Sequence, residues 1–185
     1  MSGELNGKKV AFLAADGVEE AELVEPRKAV EEAGAETVVV SINSGEIQAF
    51  NHLDHGDRIK VDVTAKSADA AQYDALVLPG GVANPDFLRG DQDAVRFVKD
   101  FFEQDKPVGV ICHGPWTLVE AGVVRGRTLT SWPTLQTDLR NAGAEWVDEE
   151  VHVDGRLVSS RKPDDLPSFN RKVVEVFAGT EGGRS

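Results

Sequence analysis

The sequence contains very little cysteine and few aromatic residues. Its 185 residues include one cysteine and one tyrosine, and aromatic side chains make up 6% of the chain. A single cysteine cannot form a disulfide within the chain, so no oxidative cross-link is expected to stabilise the fold. No apolar stretch approaches the roughly 20 residues of a membrane-spanning helix, and no basic segment followed by an apolar signal run begins the chain. We therefore expect a cytoplasmic protein without a membrane partner.

Positive charge is also scarce. The chain has 20 Lys and Arg residues against 32 Asp and Glu residues, which gives a net charge of -12 at pH 7. Such a surface repels the phosphate backbone of nucleic acids, so we expect no nucleic-acid partner. A chain of this length with 41% hydrophobic residues can build one core. We predict a single domain over residues 1–185, with a disordered tail at 179–185.

Four apolar runs lack the alternation of a strand that has one exposed face. They lie at residues 10–15, 37–42, 75–81 and 107–112. Strands that are covered on both faces, as in a parallel sheet, have this pattern. Segments of helical periodicity, such as 20–33 and 91–106, separate the runs. The alternation of strands and helices predicts a three-layer α/β sandwich with a mainly parallel, flavodoxin-like sheet.

The last third of the chain has a different pattern. Residues 149–160 form two short alternating runs, which predict a hairpin that turns at Asp154 and Gly155. A further hairpin is expected near Gly45. In the segment 166–177, apolar residues recur at helical spacing, which predicts a C-terminal amphipathic helix.

The lone cysteine stands at the end of the fourth apolar run. Cys112 is followed by His113, Gly114 and Pro115, so the strand turns directly into a helix, as in a nucleophile elbow. Gly114 matches the glycine two residues after the nucleophile, but Val110 replaces the glycine two residues before it. The N–H groups of a helix start favour a thiolate and lower the thiol pKa. The alternative is a buried and inert thiol, although a core strand has no reason to break at His-Gly-Pro.

Other polar groups are expected near this cysteine, because ligands of open α/β sheets bind at the carboxyl ends of the strands. Glu19 and Glu22 follow the first strand. They either complement the helix dipole or compete with the sulfur for one proton. Gly80 and Gly81 end the third apolar run. The N–H groups of Gly81 and His113 are candidates for an oxyanion site.

The histidines allow fewer conclusions. His113 either carries protons for Cys112 or is a surface imidazole, because adjacent side chains at a helix start point in different directions. His52 and His55 lie in a loop without partners at metal-ligand spacing, and His152 alternates with valines and is expected to face solvent. We expect no metal and no cofactor.

Six segments of the chain resemble the PfpI family of intracellular proteases. They are YDALVLPGG, FLRGD, KPVGVICHGP, AGVVRGRTLTS, NAGAEWVDEEV and LVSSRKPDDLPSF. This family lies within the glutamine-amidotransferase-like superfamily, which also contains the Parkinson-associated deglycase. The resemblance covers nearly the whole chain. It implies a homo-oligomer, either a dimer or a hexamer.

The resemblance also implies roles for individual residues. It places the nucleophile at Cys112, with His113 as its neighbour, and it places the glutamates that contact the sulfur at Glu19 and Glu22. A third catalytic acid, which the family takes from an adjoining subunit, falls on Asp86. This residue is an aspartate where some members have the longer glutamate.

Two tryptophans depart from the family pattern. Trp116 stands where many members have Gln, and Trp132 stands where some have Tyr. A tryptophan keeps a flat apolar wall and one N–H donor but lacks the phenol that is able to pass a proton. We therefore expect a narrower and more apolar pocket than in other members of the family.

Three functions are compatible with these residues. The first is a cysteine-dependent hydrolase that acts on small carbonyls or their early adducts, as a deglycase or glyoxalase does. The second is a peptidase with an acyl-enzyme intermediate at Cys112. The third is a redox sensor or chaperone-like stress protein, because an exposed thiolate oxidises readily to sulfenic and sulfinic acid. A relative that has lost its activity is a further alternative. The predicted ligand is a small carbonyl or a peptide.

Overall fold

Strands and helices alternate along most of the chain. The computed structural model describes residues 3–179, and residues 180–185 of the predicted tail lie outside this range. The strands are β1 Lys9–Leu13, β2 Val18–Glu19, β3 Glu36–Ser41, β4 Glu46–Asn51, β5 Asp54–Lys60, β6 Val63–Thr64, β7 Ala75–Leu78, β8 Val108–Ile111, β9 Thr128–Leu129, β10 Glu145–Trp146, β11 Val151–Asp154 and β12 Leu157–Ser160. The helices are α1 Glu20–Glu32, α2 Ala83–Arg89, α3 Gln92–Glu103, α4 Pro115–Ala121, α5 Gln136–Asn141 and α6 Leu166–Phe177.

The four apolar runs form the centre of one sheet. Seven strands lie in the order β11-β12-β8-β7-β1-β3-β6. Neighbours are parallel throughout this sheet except for β11 and β12, which are antiparallel. The predicted α/β fold with a mainly parallel sheet is therefore confirmed. None of the helices within residues 3–179 combines the length and apolarity that crossing a bilayer requires.

Helices cover both faces of the sheet, which explains why its strands do not alternate in the sequence. In β1, Phe12 belongs to the core shared with Val30 of α1 and Phe169 of α6. The next residue, Leu13, belongs to the opposite core, which includes Phe101 of α3. All five side chains are fully buried. Burial of side chains of this size contributes about 1.5–3 kcal/mol each, so both faces of every central strand select apolar residues.

The order in which the chain adds strands to the sheet reverses at β1. From β1 the chain moves to β3 on one side, and later to β7, β8 and β12 on the other side. Ligands of open α/β sheets bind where the strand order reverses, in the crevice at the carboxyl ends of the strands. The segments that follow β1, β7 and β8 carry the residues predicted to be functional, so the topology gathers them at one edge.

The hairpin expected near Gly45 exists, but its turn lies further along the chain. Strands β4 and β5 pair antiparallel, with Asn51 opposite Asp54, and the turn residues are His52 and Leu53. The chain passes Gly45 in a left-handed conformation as it leaves the main sheet and enters the separate sheet β2-β4-β5. The glycine therefore marks a change of sheet rather than a hairpin turn.

The predicted turn of the later hairpin is wrong by one residue. Asp154 pairs with Leu157, so Gly155 and Arg156 form the turn. The carboxylate of Asp154 accepts a hydrogen bond from the N–H of Thr128 at 2.8 Å. Strand β12 also pairs in parallel with β8, and this second ladder fixes its register.

Candidate active site

Cys112 occupies a strained turn between β8 and α4. Its φ angle is 62°, a left-handed conformation that side chains other than glycine rarely adopt. Such a conformation costs about 1–3 kcal/mol and persists only where the surroundings impose it. Two hydrogen bonds hold this backbone in place, from the N–H of Cys112 to Ser160 O at 3.1 Å and from the N–H of Trp132 to Cys112 O at 2.9 Å. The nucleophile elbow predicted from the sequence is therefore confirmed.

Two glycines allow the chain to pack closely around this turn. A Cβ atom on Gly114 would lie 2.7 Å from Val110 Cγ2 and 2.8 Å from the carbonyl oxygen of Leu78. A Cβ atom on Gly80 would lie 2.6 Å from the Cβ of Cys112. Neither contact is possible for a real side chain, so both positions require glycine.

Glu22 lies beside the sulfur in the protein interior. The carboxyl group is fully buried, and its Oε1 accepts a hydrogen bond from the N–H of Gly80 at 3.0 Å. Its Oε2 has no hydrogen-bond partner among the described residues. An unpartnered carboxylate oxygen is costly to bury, whereas a protonated carboxyl is able to donate to a nearby anion. The neighbouring group that would accept this hydrogen bond is the sulfur of Cys112 in its thiolate form. The Cys112 side chain interacts with Glu22 directly.

The electrostatics of this pair differ from the sequence prediction. Burial raises the pKa of Glu22 to about 8, and the charge of Glu19 adds to the effect. Burial also raises the pKa of the Cys112 thiol, and the charge of Glu22 raises it further. The backbone N–H groups of Gly81 and His113 face the sulfur and lower this pKa, but by less. The prediction of a lowered thiol pKa was therefore wrong, because desolvation outweighs the donors at the turn.

The raised pKa values have a direct consequence for the chemistry. Two negative charges cannot coexist in this buried space, so the sulfur becomes a thiolate only while Glu22 holds a proton. Two N–H groups face the sulfur and one contacts Glu22, so the backbone stabilises negative charge at both groups.

His113 contacts the sulfur, and the prediction of a surface imidazole is wrong. Its Nδ1 lies 3.1 Å from the Sγ of Cys112. The ring is stacked on Trp132, with centroids 5.7 Å apart and planes at 22°, and Trp116 packs against it at 5.2 Å. Burial lowers the pKa of His113. The imidazole is therefore neutral at pH 7 and able to accept a proton.

The sulfur opens into a pocket of about 400 Å³. The side chain of Trp132 forms one wall, as predicted, and the β4–β5 hairpin contributes Phe50, His52 and Leu53. The lining contains no Lys or Arg. The hairpin was not predicted to have a role in the site. It lies some sixty residues before Cys112 in the chain, and its pattern carries no sign of this tertiary contact.

Glu19 lines the pocket but binds the hairpin rather than the sulfur. Its two carboxylate oxygens accept hydrogen bonds from the backbone N–H of His52, each at 3.2 Å. The Nδ1 of His52 lies 3.6 Å from the same carboxylate. The contact with the sulfur that the resemblance implied is therefore made by Glu22, whereas Glu19 joins the hairpin to the site.

Trp116 and Asp86 lie outside the pocket of their own chain. The indole of Trp116 packs behind His113 and donates from Nε1 to Asp138 at 2.9 Å, so the prediction that it forms a pocket wall is wrong. The guanidinium of Arg89 lies 4.7 Å from the centre of the Trp116 ring. Asp86 is exposed on α2 and pairs with Arg89 at 3.1 Å. Its implied role in the site of an adjoining subunit stays a prediction.

The remaining histidines lie apart from the sulfur. His55 packs edge-on against Phe50, with ring centroids 4.9 Å apart. His152 is more buried than predicted, and its Nδ1 lies 2.9 Å from a carboxylate oxygen of Glu149. Within residues 3–179, no group of three or more His, Cys, Asp or Glu side chains is placed to hold a metal ion.

The fold and the site together define a class of protein. A cysteine on a strained turn, at the edge of a mainly parallel sheet where the strand order reverses, faces a histidine and a buried glutamate. This is the arrangement of α/β proteins that carry a cysteine nucleophile on an elbow.

The chain belongs to the DJ-1/PfpI family, which residues 8–176 match. A deglycase of Thermococcus kodakarensis is 46% identical over 169 residues, which cover 91% of this chain and 99% of that protein. A Bacillus subtilis protein is 41% identical over 170 residues, which cover 92% of this chain and 98% of that protein. The name of that protein assigns it provisionally to the cysteine proteases.

Solved structures agree with this assignment. The crystal structure of a two-domain Anabaena variabilis protein, with DJ-1/ThiJ/PfpI-like and ferritin-like domains, matches 95% of this chain and 49% of its own, with 36% identity and a TM-score of 0.85. Drosophila melanogaster DJ-1beta matches 98% of this chain and 93% of its own, with 27% identity and a TM-score of 0.84.

Proposed function

We propose that this protein is a cysteine-dependent enzyme that hydrolyses small α-oxoaldehydes, or their early adducts on amines and thiols. One observation carries the proposal. The sulfur of Cys112 lies 3.1 Å from the Nδ1 of a neutral His113 and beside a protonatable Glu22, at the base of a pocket of about 400 Å³. Several relatives are named deglycases.

The first step of the proposed reaction forms a bond between sulfur and carbon. Proton transfer from the thiol to His113 produces the nucleophile, and Glu22 in its protonated form stabilises it. The thiolate attacks the aldehyde carbon of methylglyoxal, and the carbonyl π electrons move to the oxygen. The N–H groups of Gly81 and His113 that face the sulfur are available to this oxygen as hydrogen-bond donors. The oxygen then takes the proton from the imidazole, which yields a neutral hemithioacetal.

The second step moves a proton within the substrate. The neutral imidazole removes the proton from the sulfur-bound carbon and returns it to the adjacent carbon, while the hydroxyl proton on the sulfur-bound carbon passes to the former ketone oxygen. The product is a lactoyl thioester on Cys112. Water then adds to the thioester, lactate leaves, and the thiol is restored. One methylglyoxal and one water thus produce one lactate, with no external oxidant or reductant.

The central test is the Cys112→Ser variant. We expect its methylglyoxal turnover to fall at least about a hundred-fold, because a serine hydroxyl is a much weaker nucleophile at this site. Methylglyoxal loss and lactate formation are measured together. Iodoacetamide-treated wild type is a second inactivated sample, because Cys112 is the only cysteine in the chain. His152→Asn, on the distant strand β11, serves as the control that retains activity. Turnover that survives in Cys112→Ser would contradict the proposal.

Peptide hydrolysis is the second candidate function, because the Bacillus subtilis relative carries a protease name. It would use the same sulfur and the same backbone donors to form an acyl-enzyme. The small pocket beneath the β4–β5 hairpin fits a small carbonyl better than an extended peptide. Cleavage of an unfolded protein that is lost in Cys112→Ser would favour the peptidase, and the absence of such cleavage would exclude it.

A redox or chaperone-like stress role stays a prediction. It requires a thiolate that oxidants reach, whereas Cys112 is only 6% exposed and its thiol pKa is raised by burial. Mass spectrometry after mild peroxide treatment tests it. Cys112 converted to sulfinic acid ahead of Met1 and the tryptophans would support it, and an unmodified Cys112 would exclude it.

We further propose that the protein is a homo-oligomer, either a dimer or a hexamer, that acts in the cytoplasm. Large apolar side chains are exposed around the pocket. Leu53 is 95% exposed at the hairpin tip, and Val82 and Phe87 on the neighbouring segment are more than half exposed. Exposed apolar groups close together are typical of an interaction surface. In an oligomer with a shared site, Asp86 of one subunit would also be able to lie at the pocket of a second subunit.

A further inference from the structure

Asn84 is a fully buried polar residue in the first turn of α2. Its Oδ1 accepts a hydrogen bond from the N–H of Ala15, just after β1, at 2.7 Å. Its Nδ2 donates to the carbonyl oxygen of Pro79 at 3.1 Å and to that of Gly80 at 3.0 Å. A single carboxamide thus joins the end of β1 to the two successive carbonyls that follow β7.

The first of these carbonyls controls an N–H group at Glu22. Within a trans peptide unit the C=O and the N–H point in opposite directions, and residues 3–179 contain no cis peptide bond. The carbonyl of Pro79 is therefore opposed by the N–H of Gly80, which donates to Glu22 Oε1 at 3.0 Å. By holding the carbonyl, Asn84 aims this N–H at the carboxyl group.

The second carbonyl controls an N–H group at the sulfur. The carbonyl of Gly80 also accepts a hydrogen bond from the N–H of Glu19 at 3.3 Å, so it is held from two sides. The N–H on the opposite side of this peptide belongs to Gly81 and faces the sulfur of Cys112. Hydrogen bonds at a carbonyl also polarise the N–H of the same peptide, which strengthens its interaction with an anion.

We propose that Asn84 is a positioning residue that aims two backbone N–H groups at the Cys112–Glu22 pair and thereby controls how readily the sulfur becomes an anion. Glycines at positions 80 and 81 leave these two peptide units free to rotate unless another group holds them. The expected effect of Asn84 on turnover rests on the proposed function. The expected effect of Asn84 on the ionisation of the Cys112 sulfur does not depend on that function.

The experiment measures the rate of Cys112 alkylation by iodoacetamide from pH 5 to pH 10, with mass spectrometry of the single cysteine. Asn84→Leu keeps the shape of the side chain and removes its hydrogen bonds. The Gly81 N–H stabilises the thiolate directly, so its loss is expected to move the midpoint of alkylation upward by about one pH unit and to slow the reaction at pH 7 about ten-fold. Loss of the Gly80 N–H destabilises the Glu22 carboxylate instead, which is a smaller effect of opposite sign because it acts on the sulfur only through Glu22. Asn84→Ser retains one hydroxyl donor and is expected to lie between Asn84→Leu and the wild type.

Asn170→Leu, on α6 and away from the pocket, is the matched control and is expected to keep the wild-type profile. Circular dichroism and urea unfolding establish that each variant is folded. If Asn84→Leu does not fold, the alkylation midpoint of Asn84→Ser tests the proposal by itself. A folded Asn84 variant with the wild-type alkylation midpoint would overturn the proposal.

Turnover of methylglyoxal separates this proposal from the proposed function. Asn84 variants are expected to lose kcat about ten-fold while KM changes less than about two-fold, because the pocket lining is unaltered. If the wild type does not turn over methylglyoxal, the proposed function fails. The alkylation profile still tests the role of Asn84.

Discussion

At the scale of single residues, the chemistry depends on where one buried proton resides. Cys112, Glu22 and His113 lie within the protein interior, and two of them are acids whose pKa values are raised by burial. A neutral imidazole lies 3.1 Å from the sulfur, where it is able to accept the thiol proton. In the proposed reaction, the site is activated by proton exchange among neighbours rather than by a thiolate that persists at rest.

Replacing Glu22 changes how stability depends on pH. Burial raises the pKa of Glu22 to about 8 in the folded protein. A carboxyl group whose pKa is raised by folding favours the folded state at low pH, and this contribution is lost as the pH rises through the folded pKa. Glu22→Gln cannot ionise, so it is expected to lose about 4 kcal/mol less stability than the wild type between pH 5 and pH 9.

Urea unfolding at both pH values checks this prediction. Glu20→Gln, in the same helix but outside the pocket, is the matched control and is expected to follow the wild type. Equal losses of stability in wild type and Glu22→Gln would show that Glu22 does not hold a raised pKa in the folded protein.

At the scale of elements, the site is built from three strand ends and one hairpin. The segments after β1, β7 and β8 meet at one edge, and the β4–β5 hairpin covers them. The turn from β8 to α4 leaves no space for a side chain at Gly114. Because Leu78 and Val110 belong to the central strands, the turn cannot shift to make room without disturbing the sheet.

We therefore expect Gly114→Ala to destabilise the protein. Its methyl group would overlap the carbonyl of Leu78 and the side chain of Val110, and overpacking of this kind costs about 1–3 kcal/mol. Gly90→Ala is the control, because its nearest contact would be 3.5 Å and its φ is -83°. That change is expected to alter the free energy of unfolding by less than about 1 kcal/mol. Similar losses for the two variants would argue against a tightly packed elbow.

At the scale of the whole molecule, an acidic surface surrounds an apolar rim. The net charge of -12 favours repulsion between copies of the protein, whereas Leu53 and Val82 expose apolar area at the pocket and Phe87 exposes it on α2. Association through this rim would bury the apolar groups and enclose the site. Salt would screen the repulsion between subunits and strengthen the assembly.

The proposed oligomer is tested by sedimentation of the full chain. The double change Leu53→Asp and Phe87→Asp places charge in the rim and is expected to shift the protein to monomers, because unpaired charge is costly to bury. Val153→Asp, on the edge strand β11, adds one negative charge elsewhere and is expected to leave the assembly intact. A wild-type protein that sediments as a monomer would contradict the proposed oligomer.

The sequence by itself determined the parallel sheet and the position of the strained turn that carries Cys112. Strands buried on both faces need apolar residues at every position, so the runs at β1, β3, β7 and β8 are visible without a structure. The elbow was equally visible, because a sharp turn requires specific residues next to one another, and Cys112, His113 and Gly114 are contiguous.

Only the tertiary structure decided the properties of the site. The direction of the thiol pKa shift depends on desolvation summed over segments far apart in the chain, and no local pattern encodes that sum. The contacts of Glu19 with His52 and of Asn84 with Ala15 join segments that the sequence separates by tens of residues. Local sequence specifies periodicity and tolerated backbone angles, whereas burial and electric field are properties of the assembled fold.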